Sequence, residues 1–315
     1  MAVSIATLTL NPALDVTYDV QALEPDHKCH ALHVSHHPGG NGINVGRALR
    51  VLGVEASNIA ILAGDVGRMV AGLCEQELEN PHFLMTEGQT RINCTCLDLS
   101  NHLQYEVTGI GPLVNPQLIQ ETTAVFLERV RDGIGILTGS IPPGVPDTIY
   151  AELTKLLHHA GAQAVVDAHG TLLHQALEQE YKPFLIKPNR YELELLCGRK
   201  LPTIQDVAGE AMAIRERGVE MVCVSLGGEG ALLATASGIW HGQAIPVPVR
   251  CTVGAGDSMV AGLVAGLATH QDAAQALRLG LAMGAGTAAK PGTGLATRED
   301  LRTLLAQAEI TEVIP

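Results

Sequence analysis

The chain is poor in aromatic and basic residues. Its 315 residues include three phenylalanines, five tyrosines and one tryptophan, too few rings to stack a row of sugars or bases. The 20 lysines and arginines are outnumbered by 33 aspartates and glutamates, which gives a net charge of −13. Because an acidic surface repels polyanions, nucleic acid and anionic membranes are excluded as main partners.

Cys-x-x-Cys pairs, long uncharged apolar runs and a basic leader are also missing. The seven cysteines are odd in number and scattered, as is typical of reduced thiols. The longest uncharged stretch, residues 230–249, contains prolines, glycines and polar residues and does not resemble a membrane span. Residues 1–10 lack a positive region, so we expect a first strand instead of a secretory signal, and a cytoplasmic protein.

Short apolar runs alternate with helical patterns through the second half of the chain. Each run is followed by small or polar residues, at 134–137, 164–166, 184–186 and 221–224. This alternation predicts an α/β fold with a central, mostly parallel sheet flanked by helices. Ligands of such sheets bind beyond the carboxyl ends of the strands, so we expect the functional site there.

Two segments, 12–37 and 91–109, alternate as strands do and lack helices. We expect them to form a small antiparallel β-sheet lid beside an α/β domain of residues 1–11, 38–90 and 110–315. Bare strands leave apolar surface and unpaired edges, so we also expect a homodimer formed through the lids.

The lid segments contain two groups of candidate metal ligands. Five histidines lie in the first segment, but exposed side chains on an edge strand are favoured because no cysteine or carboxylate completes a ligand set. Cys94 and Cys96 could belong to a zinc site, although alternation over 92–97 favours one face of a strand.

Residues 252–257 read Thr-Val-Gly-Ala-Gly-Asp and precede an apolar helical segment. A glycine turn that enters a helix presents unpaired N–H groups, and the helix dipole adds positive potential, so this turn favours an anion. Asp257 is either a capping carboxylate or a group that acts on that anion. Gly254 and Gly256 favour the second interpretation, because a cap alone needs neither.

A second turn, residues 38–44, reads Pro-Gly-Gly-Asn-Gly-Ile-Asn. Its glycines allow close approach of a ligand, and Asn41 and Asn44 supply donors and acceptors that suit a polyol. The chain has no Gly-x-x-x-x-Gly-Lys-Ser/Thr loop, which excludes a P-loop, and its glycine spacing does not fit a dinucleotide site.

In their order and separation, the two glycine turns resemble the two signatures of the PfkB (ribokinase-like) carbohydrate kinases. The resemblance covers essentially the whole chain and is supported by segments 10–15, 139–144, 187–192 and 224–227. It is greatest to the ketohexose-phosphate branch: 6-phosphofructokinase of the minor type, tagatose-6-phosphate kinase and 1-phosphofructokinase. It implies a ribokinase-like fold and ATP-dependent phosphorylation of fructose 6-phosphate, tagatose 6-phosphate or fructose 1-phosphate to the bisphosphate. Two alternatives stay open: a kinase of an unphosphorylated sugar or nucleoside, and a catalytically silent sugar-phosphate sensor.

The same resemblance implies roles for individual residues. Asp257 would accept the hydroxyl proton, and the transferred phosphoryl group would be held by the amides of Gly254, Ala255 and Gly256. Its place at a helix start predicts that Asp257 stays ionised and only weakly basic. The sugar phosphate would be bound by Asp15, Lys28, Gly39, Gly40, Asn44, Arg91 and Ser140. ATP would contact Lys187, Asn189, Ser225, Gly227, Gly230 and Thr252.

Cations follow from the resemblance as well. Magnesium would be held, through water, by Asn189 and Glu192, although Glu192 could be an ordinary helix-start carboxylate. A monovalent cation, K⁺, would bind carbonyls around Cys251, Val253, Thr287, Lys290 and Gly292. Three residues depart from the pattern of relatives and leave sugar preference and cation dependence open: Asn41, Cys251 and Gly294.

Overall fold

The computed structural model describes residues 3–269 and 272–313 of the chain. Ten strands form its main sheet, in the spatial order β14-β13-β12-β11-β10-β9-β8-β1-β4-β5. The seven strands from β11 to β5 in that order run parallel, and the three at the other edge are antiparallel. Their bounds are β1 Ile5–Thr9, β4 Ser57–Ala63, β5 Pro81–Thr86, β8 Ile134–Thr138, β9 Gln163–Asp167, β10 Leu185–Ile186, β11 Met221–Ser225, β12 Ala231–Thr235, β13 Gly238–Gly242 and β14 Ile310–Glu312.

Helices cover both faces of this sheet, which confirms the predicted α/β fold. Their bounds are α1 Asn41–Leu52, α2 Gly64–Glu77, α3 Pro116–Arg129, α4 Ile149–His159, α5 Gly170–Glu178, α6 Arg190–Cys197, α7 Ile204–Glu216, α8 Ala255–Ala268, α9 Ala273–Ala288 and α10 Arg298–Gln307. Neighbouring strand residues enter opposite cores: Ile136 packs with α8 and α9, and Leu137 packs with α3 and α4. Burial on both faces explains why these strands are continuous apolar runs instead of alternating ones.

A second sheet of four strands, in the order β3-β2-β6-β7, forms the lid. Its strands are β2 Ala13–Val20, β3 Ala31–Gly39, β6 Arg91–Asp98 and β7 Leu103–Val107. The expectation of an antiparallel lid is wrong at its centre, because β2 and β6 pair in parallel. Both strands continue from parallel strands of the main sheet, β1 and β5, and therefore leave its carboxyl edge in the same direction.

The candidate metal ligands of the lid lie mainly on two strands, β3 and β6, that are separated by β2. His33, His36 and His37 lie on β3, and Cys94 and Cys96 lie on β6. No group of three or more histidine, cysteine or acidic side chains among the described residues is arranged to hold a metal ion. All seven cysteines are free thiols. None of the helices within the described ranges is both long and apolar enough to cross a membrane.

Helices α8 and α9 pack against each other through small residues. A Cβ atom at Gly262 on α8 would lie 2.6 Å from the Cα of Gly280 on α9, so the two backbones touch. A Cβ atom at Gly266 would lie 2.7 Å from the Cα of Ala276, one turn along the same contact. This contact fixes α8, which begins at the predicted anion turn, against the body of the protein.

Candidate active site

A cavity of about 600 Å³ lies between the carboxyl edge of the main sheet and the lid. The turns that follow β8, β9, β10 and β11 form its floor, the start of α8 forms one wall, and the lid strand β6 forms the roof. Its lining comprises Asn41, Arg91, Asn93, Thr108, Gly139, Ser140, Asp167, Ala168, His169, Lys187, Asn189, Glu192, Ser225, Gly254, Gly256 and Asp257. The cavity therefore lies at the edge of the sheet where the sequence pattern predicts the site.

Asp257 lies in the first turn of α8 and is held by two asparagines. Asn41 donates from Nδ2 to Oδ1 of Asp257 at 2.9 Å, and Asn44 donates from Nδ2 to Oδ2, also at 2.9 Å. Both asparagines belong to the first glycine turn, so the two signature segments meet at this carboxylate. Asp257 is 5% exposed and still lines the cavity.

The expectation of a weakly basic Asp257 is wrong. Burial raises the pKa of Asp257 to about 7, and the nearby carboxylate of Asp167 adds to the rise. Asn44, Lys187 and Asn41 oppose that rise without cancelling it. Removal from water outweighs the position at the helix start, so Asp257 can take up a proton near neutral pH.

The anion turn before α8 adopts the shape that its glycines allow. Gly254 has a left-handed conformation, with φ of 77°. The N–H of Ala255 donates to the carbonyl of Thr252 at 3.2 Å, so this amide is engaged, contrary to the role expected for it. Among the described residues, the N–H groups of Gly254 and Gly256 have no backbone acceptor. These two amides are the free donors at the helix start.

Lys187, just after β10, places its ammonium group beside those amides. A Cβ atom at Gly256 would lie 3.3 Å from Nζ of Lys187, and Nζ is 3.2 Å from Oδ1 of Asp167. Burial alone would lower the pKa of Lys187, but the Asp167 carboxylate raises it above the ordinary value. Lys187 is therefore a buried cation at the place where the helix also favours negative charge.

Arg91 and Ser140 lie on the lid side of the cavity. Arg91 donates from Nη2 to the carbonyl of Asn11 at 2.9 Å, and its buried Nε has no partner. Asn11 also donates to Oγ of Ser140 at 3.2 Å and thereby joins the two residues. Burial lowers the pKa of Arg91, and Asp15 opposes the shift.

Asp15 lies behind the cavity wall instead of in its lining. Its Oδ1 accepts a bond of 2.8 Å from Nδ2 of Asn93, and Asn93 itself lines the cavity. Burial raises the pKa of Asp15, and Asn93 and Arg91 oppose the rise. Gly39 packs on the same carboxylate, since a Cβ there would lie 2.4 Å from it. Gly40 is the cap residue before α1.

Asn189 and Glu192 form a capping box at the start of α6. Asn189 Oδ1 accepts from the N–H of Glu192, and Oε2 of Glu192 accepts from the N–H of Asn189, each at 2.8 Å. Both side chains also line the cavity. Glu192 therefore has a structural role as a capping residue of α6. Its other oxygen, Oε1, accepts no hydrogen bond from the part of the chain that the structure describes.

The other residues expected around ATP divide into two groups. Ser225 lines the cavity, and its N–H donates to the carbonyl of Pro188 at 3.1 Å. Gly227 begins a short 3₁₀ turn after β11, and Gly230 follows that turn. Thr252 is exposed just before α8. None of these three residues lines the cavity.

The residues expected to hold a monovalent cation lie just before α8 and at the end of α9. The carbonyl of Thr287 accepts from the N–H of Lys290, so it is engaged. The ammonium group of Lys290 lies 2.7 Å from Asp300. Carbonyls of Cys251, Val253, Lys290 and Gly292 accept no hydrogen bond within the described ranges.

Lys28, which was expected at the sugar phosphate, does not line the cavity. It is exposed in the loop that joins β2 to β3. At roughly 3.3 Å per residue, the run from Asp15 to Val20 alone carries the chain about 17 Å away. Lys28 does not reach the cavity of its own chain in this conformation.

Sequence reasoning missed Asp167 and Asn93. Asp167 ends β9, and the rule that ligands gather at strand ends could have identified it. Asn93 is two residues after Arg91 on β6, so strand periodicity places both on the same face. Each contacts a residue that was identified, Lys187 and Asp15 respectively.

The arrangement combines a proton acceptor with a site of positive potential that can bind an anion. Asp257 is poised at one side of the start of α8, and the amides of Gly254 and Gly256 lie with Lys187 at the same helix end. This combination suits transfer of an anionic group to a hydroxyl that contacts Asp257.

Comparisons with known proteins agree with this chemistry. A family model described as pfkB family carbohydrate kinase matches residues 8–300. The 1-phosphofructokinase of Bacillus subtilis is 30% identical over 309 residues, which cover 98% of this chain and 100% of that protein. Two crystal structures of phosphofructokinase-2 from Escherichia coli, one with potassium and one with substrates and products, are each 31% identical. They cover 96% of this chain and 98% and 99% of theirs, with TM-scores of 0.91 and 0.92. The chain belongs to the pfkB family of carbohydrate kinases, enzymes that transfer a phosphoryl group to a sugar hydroxyl.

Proposed function

We propose that the protein transfers the γ-phosphoryl group of ATP to a phosphorylated ketohexose and forms the bisphosphate. The observation that carries the proposal is the meeting of the two glycine turns at Asp257, with Lys187 on one side and Arg91 across the same cavity. Arg91 is the cation that an unphosphorylated sugar would not need. The names of the relatives, 1-phosphofructokinase and phosphofructokinase-2, support this substrate class.

In this reaction Asp257 accepts the proton of the attacking sugar hydroxyl. The hydroxyl oxygen forms a bond to the γ-phosphorus, and the bond from that phosphorus to the bridging oxygen of ADP breaks. The amides of Gly254 and Gly256 and the ammonium group of Lys187 stabilise the charge on the transferred group. Asn41 and Asn44 hold the carboxylate of Asp257 in place while this occurs.

The cavity also fits the cations expected for a kinase. Oε1 of Glu192 and the side-chain oxygen of Asn189 have the chemistry that magnesium prefers, and both residues line the cavity. Bound with ATP, magnesium would offset phosphate charge. We further propose K⁺ at the carbonyls of Cys251, Val253, Lys290 and Gly292; the E. coli structure with potassium supports this.

A substrate panel tests the proposed function. Purified protein with ATP and magnesium is offered fructose 1-phosphate, fructose 6-phosphate, tagatose 6-phosphate, fructose and ribose, and ADP release is measured. We expect one of the three ketohexose phosphates to give the highest kcat/KM. Higher kcat/KM with an unphosphorylated sugar would overturn the substrate class, and binding of a sugar phosphate without ADP formation would indicate a sensor.

Replacing Arg91 with alanine should raise KM for the sugar phosphate. We expect a roughly 10- to 100-fold rise, because hydrogen bonds to a charged group contribute about 1.5–3 kcal/mol. Steady-state kinetics with the preferred substrate measures it. Arg68→Ala removes an exposed arginine that pairs only with Asp65 and serves as the control. A KM unchanged by Arg91→Ala would remove Arg91 from the phosphate site.

The lid has one polar face and one apolar face. Asp15 and Asn93 lie on the face toward the cavity. On the other face, neighbouring strands bring together Val34, Tyr18, Cys96 and Tyr105. The central strand of this face packs on α2 through Leu14 and Val16, but the edge strands β3 and β7 are bare, with Val34 40% and Val107 69% exposed. We propose that a second copy of the chain covers it, because both copies present the same apolar strip.

This dimer gives Lys28 a function. The β2–β3 loop is remote from its own cavity, but it extends the lid toward the partner copy. We propose that Lys28 contributes to the phosphate site of that copy.

The free thiols support the cytoplasm as the compartment in which the protein works.

Val107→Asp should convert the dimer to a monomer. A carboxylate buried in an apolar interface without a partner costs several kcal/mol, more than such an interface tolerates. Light scattering after size exclusion should give about twice the chain mass for the wild type and the chain mass for the variant. Leu195→Asp, at an exposed residue of α6 outside the lid sheet, is the control. A monomeric wild-type protein would contradict the proposal.

A further inference from the structure

A buried arginine, Arg47, lies directly behind the asparagine that holds Asp257. It is on α1, one turn after Asn44, and its side chain is 5% exposed. Nη1 of Arg47 donates to Oδ1 of Asn44 at 3.3 Å, while Nδ2 of Asn44 donates to Asp257. None of the roles derived above involves this arginine.

The arginine is itself fixed by two other elements. Its Nε donates to Oε2 of Glu77, the last residue of α2, at 2.6 Å. Its Nη1 also donates to the carbonyl of Thr293, in the loop between α9 and α10, at 3.4 Å. One guanidinium group thus joins two helices and the loop that contains the proposed potassium ligands Lys290 and Gly292.

The chemistry of the amide explains why this matters. A free asparagine can present either its oxygen or its NH₂ group to a neighbour. Arg47 has only donors, so only the amide oxygen of Asn44 can accept from it, and this turns the NH₂ group of Asn44 toward Asp257. In the opposite orientation, the amide oxygen would face a carboxylate oxygen, which repels it.

We propose that Arg47 is a positioning residue for the phosphoryl transfer: clamped by Glu77, it orients Asn44 and so holds Asp257 in the geometry that accepts the proton. The inference rests on the proposed function and deepens its account of the site. With Asn41 alone, the carboxylate of Asp257 would be held at one oxygen only and could rotate.

Arg47→Met tests the proposal, because methionine keeps the length and removes every donor. We expect kcat to fall roughly 10- to 100-fold, the range for a displacement of a catalytic group by about 1 Å. KM for ATP and for the sugar phosphate should change little. Arg50→Met is the matched control: Arg50 lies one turn later on α1 and donates to the carbonyl of Gln76. It should retain wild-type kcat.

A pH titration separates positioning from folding. The Asn44 bond lowers the pKa of Asp257, so its loss should move the acid limb of the kcat/KM profile to higher pH, by roughly one unit. The other charges that face Asp257, Asp167 and Lys187, are unchanged by the substitution. Millimolar guanidinium should partly restore kcat in Arg47→Ala, and an equal concentration of urea should not.

Two further arms make every outcome informative. If Arg47→Met does not fold, Arg47→Met with Glu77→Leu removes both members of the ion pair and leaves no half-buried carboxylate unpaired, and the same loss of kcat is expected. NMR titration of the Asp257 carboxyl carbon gives its pKa without turnover. An inactive wild-type protein overturns the proposed function alone, whereas wild-type kcat and an unshifted Asp257 pKa in the folded variant overturn the role of Arg47.

Discussion

Asp257→Asn should lower kcat by roughly 10²- to 10⁴-fold, the usual contribution of a positioned proton acceptor. The substitution keeps the shape of the side chain but removes its ability to take the hydroxyl proton. The loss should appear in kcat, while KM for the sugar phosphate changes little, because Arg91 still binds the phosphate. Steady-state kinetics at saturating ATP measures the effect.

The pH dependence of the wild-type enzyme should come from the same group. Because burial places the pKa of Asp257 near 7, kcat/KM should rise with pH through neutrality and level off above it. Asp257→Asn should lose that rise. Asp147→Asn, an exposed carboxylate outside the cavity, should keep both the rate and the profile. Near-wild-type turnover of Asp257→Asn would exclude Asp257 as the proton acceptor.

As pH rises, the contribution of Asp257 to the stability of the fold should fall while activity increases. In the unfolded chain Asp257 has its ordinary pKa of 3.8, so between pH 3.8 and 7 the native state retains a proton that the unfolded state has released. Stability is therefore lost as pH rises through this range and is lowest above pH 7. Asp257→Asn removes that loss, so its melting temperature at pH 8 should equal or exceed the wild-type value. A large drop would show that the kinetic effect reflects misfolding.

Lys187→Met should be the second most damaging substitution, with kcat lowered by roughly 10²- to 10³-fold. This is the cost of removing one donor aimed at developing charge. The variant should also be less stable, because Asp167 is left largely buried without its partner. Steady-state kinetics and thermal unfolding measure the two effects.

A second substitution separates those effects. Lys187→Met with Asp167→Asn removes the unpaired carboxylate, so stability should recover while kcat remains low. Lys182→Met is the control, because that lysine donates to the carbonyl of Leu177 at the opposite end of the sheet. Recovery of kcat in the double variant would show that Lys187 only neutralises Asp167.

The sequence predicted the features that depend on local pattern. The four apolar runs became β8 to β11, and the glycine turn at 252–257 became the start of α8. The direction of β6 relative to β2 was mispredicted, because alternation defines a strand but not its partner or its orientation. The direction follows only from how both strands leave the main sheet.

Asp257, from a glycine motif, and Arg91, from the family resemblance, were both named from the sequence, and both line the cavity. The pairing of Lys187 with Asp167, twenty residues earlier, required the order of strands in the sheet. The raised pKa of Asp257 could not be anticipated either, since burial is a property of the folded packing and not of the helix start. The same holds for Arg47 and Glu77, which come from different helices.

The backbone contact between Gly262 and Gly280 restricts how this enzyme can close. The two backbones touch at this point, with Leu263 and Met259 packed beside Gly280, so α8 has little space to slide or tilt. The amides at its start and Asp257 therefore keep a fixed position in the main domain. We therefore expect the lid, which carries Arg91, to be the part that moves and excludes water from bound sugar. The connections between the lid and the main domain would act as hinges.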